Sequence, residues 1–158
     1  MHYSISSGGR LGPHGVTVSP TAPKVIETLA PSERAGANSP PRILIVEDDY
    51  FVAIDLEHRL KEAGFAVVGV AACAEEALEL AATEKPVLAL MDIRIAGARD
   101  GIETAIELQK SFGIPSIFAT AHGDEATRKR AEEAQPRGWL QKPYSSAALI
   151  EAVRSALT

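Results

Sequence analysis

The sequence predicts an α/β fold: one doubly wound sheet of five parallel strands, (βα)5, with helices on both faces. Three observations lead there. From Arg42 onward, short apolar runs alternate with longer stretches of helical periodicity. The runs are apolar at consecutive positions, as strands buried on both faces require. The connections between them are short, and right-handed helical crossovers between parallel strands place helices above and below the sheet.

Each element follows from its residues. Ile43-Leu44-Ile45-Val46 is a largely β-branched run and the first strand. Tyr50 to Ala63 is the first helix, with Phe51, Ile54, Leu56 and Leu60 at roughly helical spacing and Gly64 placed to stop it. Phe65 to Val70 is the second strand. Ala74 to Thr83, rich in Ala, Glu and Leu, is the second helix, halted before Pro86. Val87 to Met91 is the third strand and Gly101 to Phe112 the third helix. Ile114 to Thr120 is the fourth strand, with Pro115 near its start, where a missing N–H matters least. Asp124 to Ala134, Gly138 to Leu140 and Ser146 to Leu157 complete the pattern as helix, strand and helix.

Composition narrows the function classes. The chain has 158 residues, a formal charge of −5 and a hydrophobic fraction of 46%, values of a globular protein rather than a disordered one. No apolar run approaches the ~18 residues that a membrane span needs, and Met1 to Gly15 does not read as a signal peptide. The single cysteine, Cys73, excludes an internal disulfide and a Cys-type zinc site, so a reduced cytoplasmic setting is expected. Residues 42–158 hold 13 basic and 19 acidic side chains, a balance that repels a phosphate backbone. The one dense basic run, Arg128-Lys129-Arg130, precedes Glu132-Glu133 and reads as a solvated helix face. Neither nucleic acid nor membrane is an expected partner. Residues 1–41 contain 6 Ser, 6 Pro and 5 Gly and no sustained periodicity, which predicts a flexible tail before a single domain over 42–158.

In a doubly wound sheet the functional site lies outside the carboxyl ends of the strands, near the switch in strand order. Strand one ends in Glu47-Asp48-Asp49, strand three in Asp92 and strand four in Thr120, and Lys142-Pro143 follows strand five. Each alone has an ordinary explanation: a capping acid, a loop acid, a strand-end hydroxyl, a surface lysine. Together they bring acids, a hydroxyl and an ammonium to one edge. Clustered carboxylates raise one another's pKa, so the arrangement makes sense around a hard divalent cation. Magnesium suits it, because it binds a few carboxylates, waters and phosphate oxygens. Lys142 and the Thr120 hydroxyl then complement phosphoryl oxygens.

Those segments resemble the receiver domain of two-component response regulators, which has the flavodoxin-like fold. The resemblance is carried by Ile43 to Asp49, Leu90-Met91-Asp92-Ile93, Asp100-Gly101, Phe118-Ala119-Thr120-Ala121 and Trp139 to Pro143, in order over nearly all of 42–158. It implies that Asp92 accepts phosphate from a histidine kinase or a histidine phosphotransfer protein. It also implies that Glu47 and Asp48 form the acidic pair at the metal, with Asp48 the direct Mg²⁺ ligand and Asp49 a helix cap. Asp92 and the main-chain carbonyl of Arg94 complete the ligand set, Lys142 and Thr120 assist, and Thr120 with Trp139 form the switch toward the fourth and fifth helices.

Departures are visible. Ala96 stands where the family has proline, Asp100-Gly101 comes one residue late, and Trp139 is bulkier than the usual Tyr or Phe. Phe118-Ala119-Thr120 after Pro115 is similar to the start of the FATGUY receiver motif, whereas Ala121-His122-Gly123 is not. His122 reads as a solvated loop histidine.

The expected function is a phosphorylation switch in a phosphorelay, not an enzyme beyond slow self-dephosphorylation. Because the chain stops at Thr158, a single-domain regulator is expected, a monomer or weak phosphorylation-dependent dimer, with output through a downstream protein target or as a phosphate sink. The alternative, a Mg²⁺-dependent phosphohydrolase with an aspartyl-phosphate intermediate of the haloacid dehalogenase type, needs a second acid where Arg94 stands. A binding-only pseudo-receiver would lack the acids or Lys142.

Overall fold

The computed structural model describes residues 39–158. The expected tail therefore lies, but for Ser39 to Pro41, outside the described residues. In chain order the elements are β1 (Arg42–Val46), α1 (Tyr50–Glu62), β2 (Ala66–Ala71), α2 (Ala74–Glu84), β3 (Leu88–Asp92), α3 (Gly101–Phe112), β4 (Ser116–Thr120), α4 (Glu125–Ala131), β5 (Gly138–Gln141) and α5 (Ser146–Leu157). One turn of 3-10 helix, Glu132–Ala134, follows α4. All strand pairs are parallel and the order is β2-β1-β3-β4-β5. The fold is the doubly wound (βα)5 sandwich, with its switch in strand order between β1 and β3.

The consecutive apolar positions of the strands divide between two cores, because side chains alternate across the sheet. Ile43 and Ile45 of β1 join Leu88, Leu90, Ile117 and Leu140 beneath Leu56 and Leu60 of α1 and Leu149 and Val153 of α5. Leu44 and Val46 join Ala89, Met91 and Phe118 on the opposite side, against Ala77 and Ala81 of α2, Ile102, Ala105 and Leu108 of α3, and Ala131. All four side chains from Ile43 to Val46 are fully buried. The lack of a side chain at Gly69 of β2 makes room for α2, since a Cβ there would come within 2.8 Å of the Leu80 side chain.

Element ends shifted by a residue or two from the sequence pattern, for identifiable reasons. Phe65 donates its N–H to Leu60 at the end of α1, so sheet pairing begins with Ala66, which bonds the Pro41 carbonyl at 2.9 Å. Pro115 has no N–H and contributes only its carbonyl, to Ala89, so β4 starts at Ser116. At the other end, β3 runs one residue further and takes in Asp92, in register with Ala119. Gly64, at φ +90, ends α1 in a conformation that side chains disfavour.

Candidate functional site

The switch in strand order sets the carboxyl ends of β1 and β3 side by side, and β4 and β5 continue the same edge. Glu47 follows β1 directly and is buried, at 4% exposure, although it is a carboxylate. Its Oε1 accepts the Asp49 N–H at 3.1 Å and its Oε2 meets the Lys142 ammonium at 3.1 Å. Lys142 also reaches Asp92 Oδ2 at 3.2 Å. One cation thus bridges acids that come from two different strands. The placement of Lys142 is fixed by the ladder, since its backbone N–H bonds the Thr120 carbonyl at 2.9 Å. The Lys142–Pro143 peptide that follows is cis.

The electrostatics reflect this crowding. Burial raises the Glu47 carboxyl above the ordinary glutamate range; the Asp49 N–H opposes that, the charge of Asp92 adds to it, and Lys142 opposes it again. For Lys142, burial works against the charged form, but the charges and hydrogen bonds of Asp92 and Glu47 outweigh it and hold the ammonium above the ordinary lysine value. Tyr144, two residues on, is raised by burial.

Glu47, Asp48 and Asp92 each offer a carboxylate oxygen, and the three atoms lie within 4.8 Å of one another. The donors are all hard oxygens, which fits Mg²⁺ rather than a soft metal. Both Glu47 oxygens already have partners, whereas Asp48 is exposed and turned to the site. Asp48 could therefore hold such an ion directly. Asp49 belongs to α1: its Oδ1 accepts the N–H groups of Phe51 at 3.0 Å and Val52 at 3.2 Å, the bonds of an N-cap.

An open cleft at this edge is lined by Asp92, Arg94, Thr120, His122, Thr127 and Lys142, among others. Thr120 reaches it from β4, but its hydroxyl is engaged with the backbone of His122, donating to the carbonyl and accepting the N–H at 3.1 Å each. The Arg94 N–H lies 3.4 Å from Asp92 Oδ1, a long contact. Trp139 is set apart from the cleft, half-buried on Phe118 with ring centroids 4.9 Å apart.

Three features were missed in the sequence. Gly101 donates to the Ile93 carbonyl at 2.8 Å and packs on the Asp92 backbone, where a Cβ would sit 1.9 Å from the carbonyl oxygen. Asp-Gly at a helix start could have signalled such a close approach. The basic run is exposed, as a solvated helix face should be, but it makes contacts the sequence did not show: Arg130 pairs with Asp100 at 2.6 Å, and Arg128 lies over the Trp139 ring. The late Asp100-Gly101 is accommodated by a loop pinned to its neighbours, through Arg99–Glu75 at 2.9 Å and a bridge between Cys73 and Ala96.

A doubly wound parallel sheet with carboxylates and an ammonium at its switch point is the arrangement expected of the response-regulator class. Residues 43–154 match the response regulator receiver domain, and the chain belongs to that family. It is 37% identical over 128 residues to the transcriptional regulatory protein PdtaR of Mycobacterium tuberculosis, covering 81% of this chain and 62% of that protein. To the phyllosphere-induced regulator PhyR of Methylorubrum extorquens it is 34% identical over 122 residues, 77% of this chain and 45% of that one. The chain thus spans less than two thirds of the length of these curated relatives. Among solved structures it is similar to the signal receiver domain of a modulated diguanylate cyclase from Desulfovibrio desulfuricans, with a TM-score of 0.70 and 38% identity over 75% of this chain and 94% of that one.

Proposed function

We propose that Asp92 is the phosphoacceptor of a phosphorelay switch, taking its phosphoryl group from the phosphohistidine of a histidine kinase or a histidine phosphotransfer protein. The observation that carries this reading is the Lys142 ammonium held 3.1 Å from Glu47 and 3.2 Å from Asp92. An Asp92 carboxylate oxygen attacks phosphorus, the P–N bond breaks, and the imidazole departs with the electron pair. Lys142 then turns from a carboxylate counter-ion into a partner for a phosphoryl oxygen. Thr120 supplies a second donor once its hydroxyl leaves the His122 backbone. Asp48, Asp92 and the Arg94 carbonyl would hold Mg²⁺ with Glu47 behind them, and the ion, when bound, supplies divalent charge for the transferring oxygens.

The role is that of a switch rather than an enzyme. Arg94 stands where a phosphohydrolase of the competing type needs its second acid, which weighs against turnover as the main activity. The output is a changed affinity for a downstream protein, or phosphate storage, in the cytoplasm where phosphorelay kinases present their histidines. Pro115 and Phe118-Ala119-Thr120 support a place near the FATGUY receivers within the family. No helix among the described residues is long and apolar enough to cross a membrane.

Incubation with Mg²⁺ and a small phosphodonor such as phosphoramidate should add one phosphate, read by intact mass. Asp92→Asn should abolish the addition. Undiminished labelling of that variant would overturn the assignment.

A further inference from the structure

Trp139 is held from two sides. One face of its indole packs on Phe118 with an interplanar angle of 31°, and the guanidinium of Arg128, a residue of α4, lies 4.8 Å from the Trp139 ring centroid. Arg128 is itself tethered: its Nε donates to the Gly123 carbonyl at 3.3 Å. Among the described residues it has no carboxylate at ion-pair distance, although Arg130 two places on pairs with Asp100. Only a planar fork can lie flat on a ring and donate from its edge at once, which an ammonium cannot do.

The tether leads back to the cleft. Gly123 follows His122, whose backbone N–H and carbonyl both meet the Thr120 hydroxyl. A Cβ on Gly123 would lie 3.6 Å from the Thr120 methyl and 3.7 Å from Arg128 Nε, so the three residues pack in one file. Thr120, the loop at His122–Gly123, Arg128 and Trp139 are therefore physically contiguous. Each link is a hydrogen bond or a ring contact with a definite made and unmade state.

We propose that Arg128 is a latch on Trp139, closed while the Thr120 hydroxyl bonds the His122 backbone and opened when that hydroxyl is drawn to a phosphoryl group on Asp92. The opening step rests on the phosphoacceptor reading above; the closed state does not. When Thr120 turns to the phosphoryl oxygen, the loop loses both of its bonds to the Thr120 hydroxyl, and the Gly123 carbonyl no longer holds Arg128 over the indole. A cation–π stack at an exposed site is weak, so loss of its tether shifts it. The bulky Trp139 thus need not swing fully inward to report the site: uncovering its outer face alters the surface that α4 and β5 present. The phosphoryl group biases this element by the different contacts it makes with Thr120 in the two states.

Trp139 is the only tryptophan in the chain, so its fluorescence reads the latch directly. The full chain is compared with Arg128→Gln and Arg128→Lys, each checked for fold by far-UV circular dichroism. Without any ligand, both variants should show a red-shifted emission and stronger acrylamide quenching than the parent. Mg²⁺ with beryllofluoride, a phosphoryl mimic whose binding fluorine NMR records independently, should move the parent toward the variants and change the variants little. Thr120→Ala, which lacks both bonds to the His122 backbone, should show red-shifted and readily quenched emission without ligand and change little when beryllofluoride binds. A shielded, parent-like spectrum for unliganded Thr120→Ala overturns the link between the Thr120 bonds and the latch. A parent-like spectrum for unliganded Arg128→Gln overturns the latch itself. Bound beryllofluoride with no change at Trp139 in the parent overturns its opening, while absence of any bound-fluorine signal overturns the phosphoacceptor reading instead and leaves the unliganded comparison to decide the stack.

Discussion

At Gly101 the absence of one carbon decides how the loop after β3 can return. A Cβ there would lie 1.9 Å from the Asp92 carbonyl oxygen and 2.8 Å from its carbon, and backbone cannot step aside as a side chain can. Gly101→Ala should therefore lower stability at the upper end of the ~1–3 kcal/mol typical of overpacking, read as a lower urea midpoint, and should slow phosphate uptake at the displaced Asp92. An unchanged midpoint would show that the loop yields. The site was legible residue by residue where chain direction alone placed the group: Glu47, Asp92, Thr120 and Lys142 each come just after or at the end of an apolar run. Gly101 was not, because its contact depends on the path of a loop eight residues long that has no periodicity. Arg128 was not either. An exposed basic run has the same sequence whether it faces water or an indole, and only the fold put α4 against Trp139.

The start of α3 is fixed by a side chain that also crosses to a neighbouring element. Asp100 caps α3, with a reciprocal bond from Glu103, and in addition pairs with Arg130 of α4 at 2.6 Å. Burial pushes the Asp100 carboxyl up, but the Glu103 N–H and Arg130 outweigh it and hold its pKa below the ordinary aspartate value. A folded pKa below the unfolded one means stability that is complete above the unfolded pKa of ~3.9 and lost as pH falls through the folded one. Asp100→Asn keeps a good N-cap but loses the charge. Its stability deficit against the parent should be present at pH 7, shrink in salt and close as acid protonates Asp100, measured by urea unfolding across that range. A deficit independent of pH would assign the role to the cap alone. Strand and helix existence was legible because apolar runs and helical spacing are local properties. The ends were less so: Phe65 and Ile114 continue apolar runs, yet their N–H groups go to the preceding helices, to Leu60 and Leu108. The 3-10 turn after α4 was hidden for the same reason, since Glu132-Glu133-Ala134 is good α-helical sequence.

At the scale of the whole molecule, the chain carries a net charge of −5, and at one sheet edge three carboxylates gather while the single Lys142 ammonium pairs with only two of them, Glu47 and Asp92. Folding assembles that cluster and the unfolded chain disperses it, so the repulsion among the acids is a cost of the native state alone. An ion that binds the cluster must then stabilise the fold by mass action, by about 2.7 kcal/mol when it stands at a hundred times its Kd. Mg²⁺ should accordingly raise the melting temperature, and Na⁺ at equal ionic strength should not match it. The two neighbouring acids should separate cleanly. Asp48→Ala removes a candidate ligand and should erase most of the Mg²⁺ increment. Asp49→Ala removes two capping bonds and should cost about 1 kcal/mol of baseline stability while leaving the increment in place. Deletion of residues 1–38 should leave the Mg²⁺ increment in place, because every group in the cluster lies after that point. Calorimetry of the full chain, the two variants and the shortened form, each with and without Mg²⁺, decides it. Equal loss of the increment from both alanine variants would contradict the division of labour between Asp48 and Asp49, and loss on shortening would place part of the domain before Ser39.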